Sequence, residues 1–250
     1  MKKIAVLFFA ILILLVSMSA STNAQTGKTW GHVYGYGFYD TRWDNAVLFA
    51  NGHYGMTLTK GKSLSVFGMG QVTMDTRTEY GQYPLIFNDN YVLGAVGLRY
   101  KPYNELWFDV QFGYAFNVQK ESFRQSPVTD FRAVAVFGKG KYASSYFIDC
   151  FASVGYYSRY ENGIGYAIGR IGVVVLPFAD VYAFTRLAVD TDKEFFNNII
   201  EPGVGLRFIT SRVNGVVFGA EYQKGWYLLD SPYSSPYDAV RFYVTYELNF

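Results

Sequence analysis

The chain has 250 residues, with 22 basic and 20 acidic side chains, a single cysteine and aromatic residues at 20% of positions. No basic surplus points to nucleic acid, and one cysteine rules out an internal disulfide scaffold. Twenty-three tyrosines and 22 phenylalanines exceed what a soluble core of this length requires, which calls for an apolar solvent outside the fold.

The first element is to be set apart from the fold. Lys2 and Lys3 precede the apolar run "IAVLFFAILILLV" (4–16), followed by "SMSASTNA" (17–24) with small residues at Thr22 and Ala24. This order of charged, apolar and small-residue segments reads as a secretory signal peptide, residues 1–24, cleaved after Ala24. Thirteen apolar residues fall short of the roughly 20 that a spanning helix needs. No cysteine lies at the cut, so the signal is not a lipoprotein one. Removing Lys2 and Lys3 leaves 20 basic and 20 acidic residues, a formal charge of zero.

From residue 25 onward the pattern alternates. Twelve segments are expected as strands: 30–40, 46–59, 63–77, 91–101, 106–119, 130–141, 145–159, 165–177, 180–190, 199–210, 213–229 and 237–250. In "YDAVRFYVTYELNF" (237–250), Val240, Phe242, Val244, Tyr246, Leu248 and Phe250 share one face, while Arg241, Tyr243, Thr245, Glu247 and Asn249 share the other. A period of two is that of a strand. Connections alternate between short ones, such as "KGK" (60–62) and "PYNE" (102–105), and longer ones, such as "EYGQYPLIFNDN" (79–90) and "KESFRQSPVT" (120–129). An even strand number with short turns on one rim and long loops on the other is the pattern of an outer-membrane barrel. The expected fold is therefore all-β, a transmembrane antiparallel up-and-down β-barrel of 12 strands over residues 25–250, in contact with outer-membrane lipid and with both termini periplasmic.

One strand occurs twice. "NDNYVLGAVGLRY" (88–100) and "NNIIEPGVGLRF" (197–208) place Asn90 and Asn198, and Arg99 and Arg207, 108 positions apart. Parity sends Val92, Val96, Leu98 and Tyr100 to lipid and Arg99 to the lumen; likewise Glu201 and Arg207 point inward. The copies occupy the fourth and tenth strands, on opposite walls, which suggests a six-strand duplication, although the rest of the halves aligns poorly.

Parity extended along the chain gives an inner wall. Its basic members are Arg77, Arg99, Arg132, Arg170, Arg186, Arg207 and Arg241; its acidic ones are Asp75, Asp109, Asp149, Glu201, Glu221 and Glu247. Asn51, His53, Gln71, Trp107, Gln111, Tyr166, Tyr182, Gln223 and Tyr243 accompany them. Such near-balance allows two readings: charges that pair and fill a narrow interior, or a wetted path for an uncharged or zwitterionic polar solute. A pore selective by charge would show one sign.

The segments "DNYVLGAVGLRYKP" (89–102), "FNNIIEPGVGLRF" (196–208) and "GYGFYDTRWDNAVLFANGHYG" (35–55) together resemble the C-terminal barrels of outer-membrane exopolysaccharide export porins, of the poly-N-acetylglucosamine, cellulose and phage-adsorption protein A type. The matching positions are Asn90, Gly97 and Arg99, then Asn198, Gly203, Gly205 and Arg207. The resemblance implies a passive exit channel for a polysaccharide. Its solute path would run past Arg99, Arg207, Arg186, Arg241, Asp109, Glu201 and Glu221, with Trp107, Tyr182 and Tyr243 as stacking faces. Those exporters carry a periplasmic helical-repeat region and more strands. The kinship therefore implies a separate helical-repeat or synthase-complex subunit as partner.

Other chemistry finds little footing. "GIGYAIGRIG" (163–172) lacks the third glycine of a dinucleotide loop and opens no helix. His32 and His53 are the two histidines; neither has a distinctive serine partner, and both read as structural. No catalytic residue, metal ligand set or cofactor is expected, and Cys150 is placed on the lipid face. Besides polysaccharide export, a plugged barrel acting as a surface structural or adhesion protein and a general small-solute porin remain open.

Overall fold

The alternation becomes twelve strands: β1 (Thr29–Asp40), β2 (Asn45–Thr57), β3 (Leu64–Asp75), β4 (Tyr91–Tyr103), β5 (Leu106–Asn117), β6 (Ser126–Lys139), β7 (Tyr146–Tyr157), β8 (Asn162–Leu176), β9 (Ala179–Asp190), β10 (Ile199–Ile209), β11 (Gly215–Tyr227) and β12 (Tyr237–Asn249). In this computed structural model the described residues are 29–59, 63–76, 90–118, 125–139, 145–192, 198–210, 215–228 and 235–250. The expected signal segment 1–24, Arg77 and most of the longer loops lie outside them. Each strand pairs antiparallel with its neighbours in sequence, and β1 closes on β12 from His32↔Asn249 to Asp40↔Arg241. Closure leaves no strand edge unpaired, the condition for a sheet facing hydrocarbon.

The two faces fall as parity dictates. Phe112, Phe131, Leu206, Phe208 and Phe242 stand exposed on the outside, Phe242 at 54%. Asp109, Gln111, Arg186, Glu201, Glu221 and Arg241 are buried in the lumen. Tyr103 to Leu106 and Leu176 to Ala179 are the tightest connections, on the rim that also carries both ends of the barrel. The long connections are on the opposite rim, so the terminal rim faces the periplasm. Two connections on the outer rim are nevertheless tight turns, 41–44 and 158–161. In each, the last residue takes positive φ: Asp44 at 47° and Glu161 at 52°. An apolar exterior around a closed 12-strand barrel places the protein in the bacterial outer membrane.

Some strands are longer than expected. β6 begins at Ser126 rather than 130, with Pro127 paired opposite Tyr114; proline is tolerated at a strand's start. β8 begins at Asn162 rather than 165. Asn162, which precedes the expected segment, joins the inner wall, as does Asp130, the first residue of the expected segment 130–141.

The duplication extends well beyond the glycine-arginine strands. Asn45 Oδ1 accepts the Thr76 N–H at 3.2 Å and the Thr76 hydroxyl at 3.0 Å; Asn162 Oδ1 accepts the same pair from Thr191 at 3.0 and 2.7 Å. Asn90 Oδ1 accepts the Asp75 N–H at 2.6 Å, and Asn198 Oδ1 accepts that of Asp190 at 2.9 Å. The barrel is thus two six-strand halves, β1–β6 and β7–β12, in which the same contacts recur.

Candidate functional site

Each half builds an arginine slot low on the lumen wall. Arg99 lies over Trp30 at 4.7 Å and Phe67 at 5.4 Å; Arg207 lies over Phe147 at 4.3 Å and Tyr182 at 5.6 Å. The glycines of the repeated strand make room for these rings rather than for the guanidinium itself. A Cβ on Gly97 would stand 2.5 Å from Phe67 Cζ, and one on Gly205 would stand 2.4 Å from Tyr182 Cζ. Gly55 and Gly172 yield to Trp30 and Phe147 in the same way, each with a ring carbon 2.5 Å from the added Cβ. Flat rings laid on glycine give each arginine a cation–π floor.

The acid that completes each slot differs. Arg99 donates two hydrogen bonds to Asp109, at 2.7 and 2.9 Å, and Arg132 shares that carboxylate at 2.8 Å. Arg207 instead donates to Asp180 at 3.0 Å and approaches Asp149 at 3.6 Å. Register explains the change. Arg99 stands opposite Asp109, whereas the acid at the corresponding place in β11, Glu221, stands opposite Gly205, two residues nearer the outer rim. The other side of the hairpin agrees: Arg132 pairs with Gly155, but Arg241 pairs with Asp40, again two residues higher. A two-residue slip keeps every side chain on its face and carries it about 7 Å at roughly 3.4 Å per residue.

That displacement assembles a second cluster in the outer half of the lumen. Arg186 donates to Gln223 at 2.7 Å, Glu201 at 3.0 Å, Glu221 at 2.5 Å and Tyr166 at 3.2 Å. Arg241 binds Asp40 at 2.6 Å, and Gln223 donates to Glu201 at 3.0 Å. Tyr182 OH donates to Glu221 at 2.9 Å and shares a 2.8 Å hydrogen bond with Tyr243. From the rim, Arg42 comes within 3.6 Å of Glu201 and is flanked by Trp43 and Tyr237 at 3.8 and 3.7 Å; it also donates to Tyr227 OH. Three arginines, Arg42, Arg186 and Arg241, thus meet three carboxylates, Asp40, Glu201 and Glu221. Pairing of this kind is what a water-poor interior demands of buried charge.

Solvent access is graded along the axis. Side chains of the outer cluster are nearly sealed, Glu201 at 1% and Arg186 at 4% exposure. Toward the periplasmic mouth, Asp149 reaches 30% and Glu247 reaches 55%, while the slot acids Asp109 and Asp180 stay sealed at 1% and 0%. Phe151 and Val136, cross-strand partners facing the lumen in that half, are also exposed. The lumen is therefore more exposed along part of its periplasmic half and closed by a side-chain plug above.

All ten residues expected on the solute path point into the barrel, but they fall into separate groups. Arg99, Asp109 and Trp107 belong to the slot of the first half, with Arg99 5.4 Å from the Trp107 ring. Arg207 belongs to the slot of the second half, and Tyr182 joins that slot to the plug. Arg186, Arg241, Glu201, Glu221 and Tyr243 belong to the plug. Asp40, Arg42, Asp130, Asp180 and Tyr237 were missed. Four of them lie at or just beyond strand ends; parity carried two residues further from Arg132 and from Tyr182 would have reached Asp130 and Asp180. His32 and His53 stack at 6.3 Å, and His32 Nε2 lies 3.4 Å from Glu247. Cys150 sits between lumen-facing Asp149 and Phe151 and so faces outward. Among the described residues no group of three metal-ligating side chains occurs.

No family model and no curated protein matches the chain. Solved structures with a similar chain path include a bacterial polysaccharide outer-membrane secretin, at 8% identity and TM-score 0.47, covering 89% of this chain and 98% of that one. A KdgM porin in complex with disordered oligogalacturonate matches at 8% identity and TM-score 0.41, covering 86% and 98%. The translocator domain of the autotransporter NalP from Neisseria meningitidis matches at 10% identity and TM-score 0.40, covering 98% and 97%. Likeness of this degree carries no inference about cargo. Strand closure, the outward apolar belt and the ionic lumen establish what the chain is: a 12-strand β-barrel of the bacterial outer membrane.

Proposed function

We propose that this protein is an outer-membrane conduit for the export of a polysaccharide, shut at its outer half in the structure described. The observation that carries the reading is the gradient of solvent access over a charge-balanced wall. Replacing buried ion pairs with apolar residues of similar volume is often neutral or stabilising, so a barrel that only had to be filled has no need of this interior. Arginines, carboxylates and amides that exchange partners with sugar hydroxyls, beside the rings of Trp30, Trp107 and Tyr243, suit a neutral polyhydroxylated chain. A separate periplasmic subunit, of helical-repeat or synthase-complex type, would deliver that chain to the periplasmic mouth.

A sealed barrel serving as a surface structural or adhesion protein is the second reading, favoured by the completeness of the plug around Arg186. Planar-bilayer recording of the folded protein separates the two. A conduit gives brief openings that lengthen when the plug is cut by Arg186→Ser with Glu221→Ser. Silence in both proteins, with folding verified by heat-modifiable electrophoretic migration, leaves the sealed barrel.

A further inference from the structure

Above the arginine slots the two halves are filled differently. Arg186 and Glu201 stand opposite each other in register, and so do Gln71 and Leu93. The two pairs are repeats of one another. Gln71 lies 115 positions before Arg186, the spacing of Phe67 and Tyr182, and Leu93 lies 108 before Glu201, the spacing of Asn90 and Asn198. Where the second half carries an ion pair, the first therefore carries a neutral one. Leu93 packs with Phe67, Met69, Tyr91, Ala115 and Val128 in a buried apolar cluster. One barrel is thus closed by ions on one side and by hydrocarbon on the other.

Continuity along the axis differs as well. In the second half, polar contacts run from the periplasmic mouth to the outer rim. Partly exposed Asp149 holds Arg170 at 3.0 Å and lies 3.6 Å from Arg207, whose guanidinium sits over the Tyr182 ring at 5.6 Å. The Tyr182 hydroxyl reaches Glu221, and Arg186 carries the chain on to Glu201 and so to Arg42 at the rim. In the first half the ion pairs end at Asp109. Gln111 donates to Asp130 at 3.0 Å, and among the described residues no hydrogen bond joins that pair to Asp109.

Opening a passage has unlike consequences on the two sides. Parting the apolar cluster would put Met69, Leu93 and Val128 in contact with water, which the hydrophobic effect opposes in proportion to the area exposed. Parting the ionic side lets each charged or amide group take water or a sugar hydroxyl in place of its present partner, an exchange with a small net free energy.

We infer that the plug opens along the wall of the second half, past Arg186, Glu201 and Arg42, while the apolar cluster of the first half stays shut as a fixed wall. The inference rests on the conduit reading and adds where the passage lies and which half moves.

Two lumen-facing alanines provide a matched test. Ala115 on β5 and Ala239 on β12 each stand two residues inside the outer end of their strand, and both are buried. Ala115→Cys and Ala239→Cys are made in full-length protein carrying Cys150→Ser, folded into lipid vesicles and treated with iodoacetamide, with alkylation followed by mass spectrometry. Ala239→Cys is expected to react at least tenfold faster than Ala115→Cys. Val128→Cys and Ala188→Cys, buried on the same two sides, repeat the comparison if either alanine variant fails to fold. Equal rates, a faster Ala115→Cys, or no reaction at either cysteine without urea overturns the inference. Conductance of the Cys150→Ser parent is recorded separately in planar bilayers. Openings accompanied by equal rates keep the conduit and remove its assignment to the second half. A faster Ala239→Cys without openings keeps the mobile second half and removes the conduit.

Discussion

Arg186→Ala would remove the cation at the centre of the outer plug. Its guanidinium holds Glu201, Glu221, Gln223 and Tyr166, and the side chains of both carboxylates are at most 2% exposed. After truncation Glu201 still has Arg42 at 3.6 Å and the Tyr237 hydroxyl at 2.7 Å. Glu221 keeps the Tyr182 hydroxyl at 2.9 Å and Arg241 opposite it in register, but loses its ion pair with Arg186. Breaking a buried pair so that one charge is stranded costs about 3–5 kcal/mol, and that is the loss expected in urea unfolding followed by tryptophan fluorescence. A paired substitution isolates the cause. Arg186→Met with Glu221→Gln leaves Arg42 and Arg241 against Glu201 and Asp40, a balanced set with similar volume, and should cost less than about 1.5 kcal/mol, because exchanging a whole pair is often close to neutral. If the single variant loses under about 1 kcal/mol, or the pair loses as much as the single, stranded charge is not what holds the plug together.

Two further outcomes follow from the geometry. Gly205→Val forces a branched side chain into the Tyr182 ring, which already lies 2.4 Å from the position of a first Cβ; overpacking should cost about 1–3 kcal/mol, whereas Gly94→Ala, with no atom within 4 Å of its Cβ, should stay within about 0.5 kcal/mol, both read from urea midpoints in the same detergent. Phe242→Arg places a cation on the lipid face and should cost about 2–4 kcal/mol if that position sits near the bilayer midplane; an unchanged unfolding free energy in lipid vesicles would remove Phe242 from the hydrocarbon belt.

The fold was legible because parity is a local property. Arg207, Arg241 and Glu221 could each be assigned to the lumen from their immediate neighbours, and Phe242 and Leu206 to lipid. The duplication was only half legible. A single offset of 108 relates Asn90 to Asn198 and Arg99 to Arg207, but Arg42 and Arg159 are 117 apart, Phe67 and Tyr182 are 115 apart, and Arg132 and Arg241 are 109 apart. Loops of different length absorb the drift, so a repeat sought at one spacing fades after one strand. The missed Asp40, Asp130 and Asp180 share a different cause: each is an end residue of an expected strand, 30–40, 130–141 or 180–190, where the inner-wall parity was not carried through, although the ladder pairs each of them.

By itself, then, the sequence determined which solvent each side chain meets, since alternation depends only on the residues on either side. Partnership within the lumen was decided by the tertiary structure. A hairpin moved by two residues relative to its neighbours presents the same faces and the same pattern, yet it takes Glu221 from the level of Arg207 to that of Gly205, within reach of Arg186, and brings Arg241 to Asp40. Strand register is set by backbone pairing around the closed ring, and it is register that turned a balanced set of charges into a plug in the outer half of the lumen.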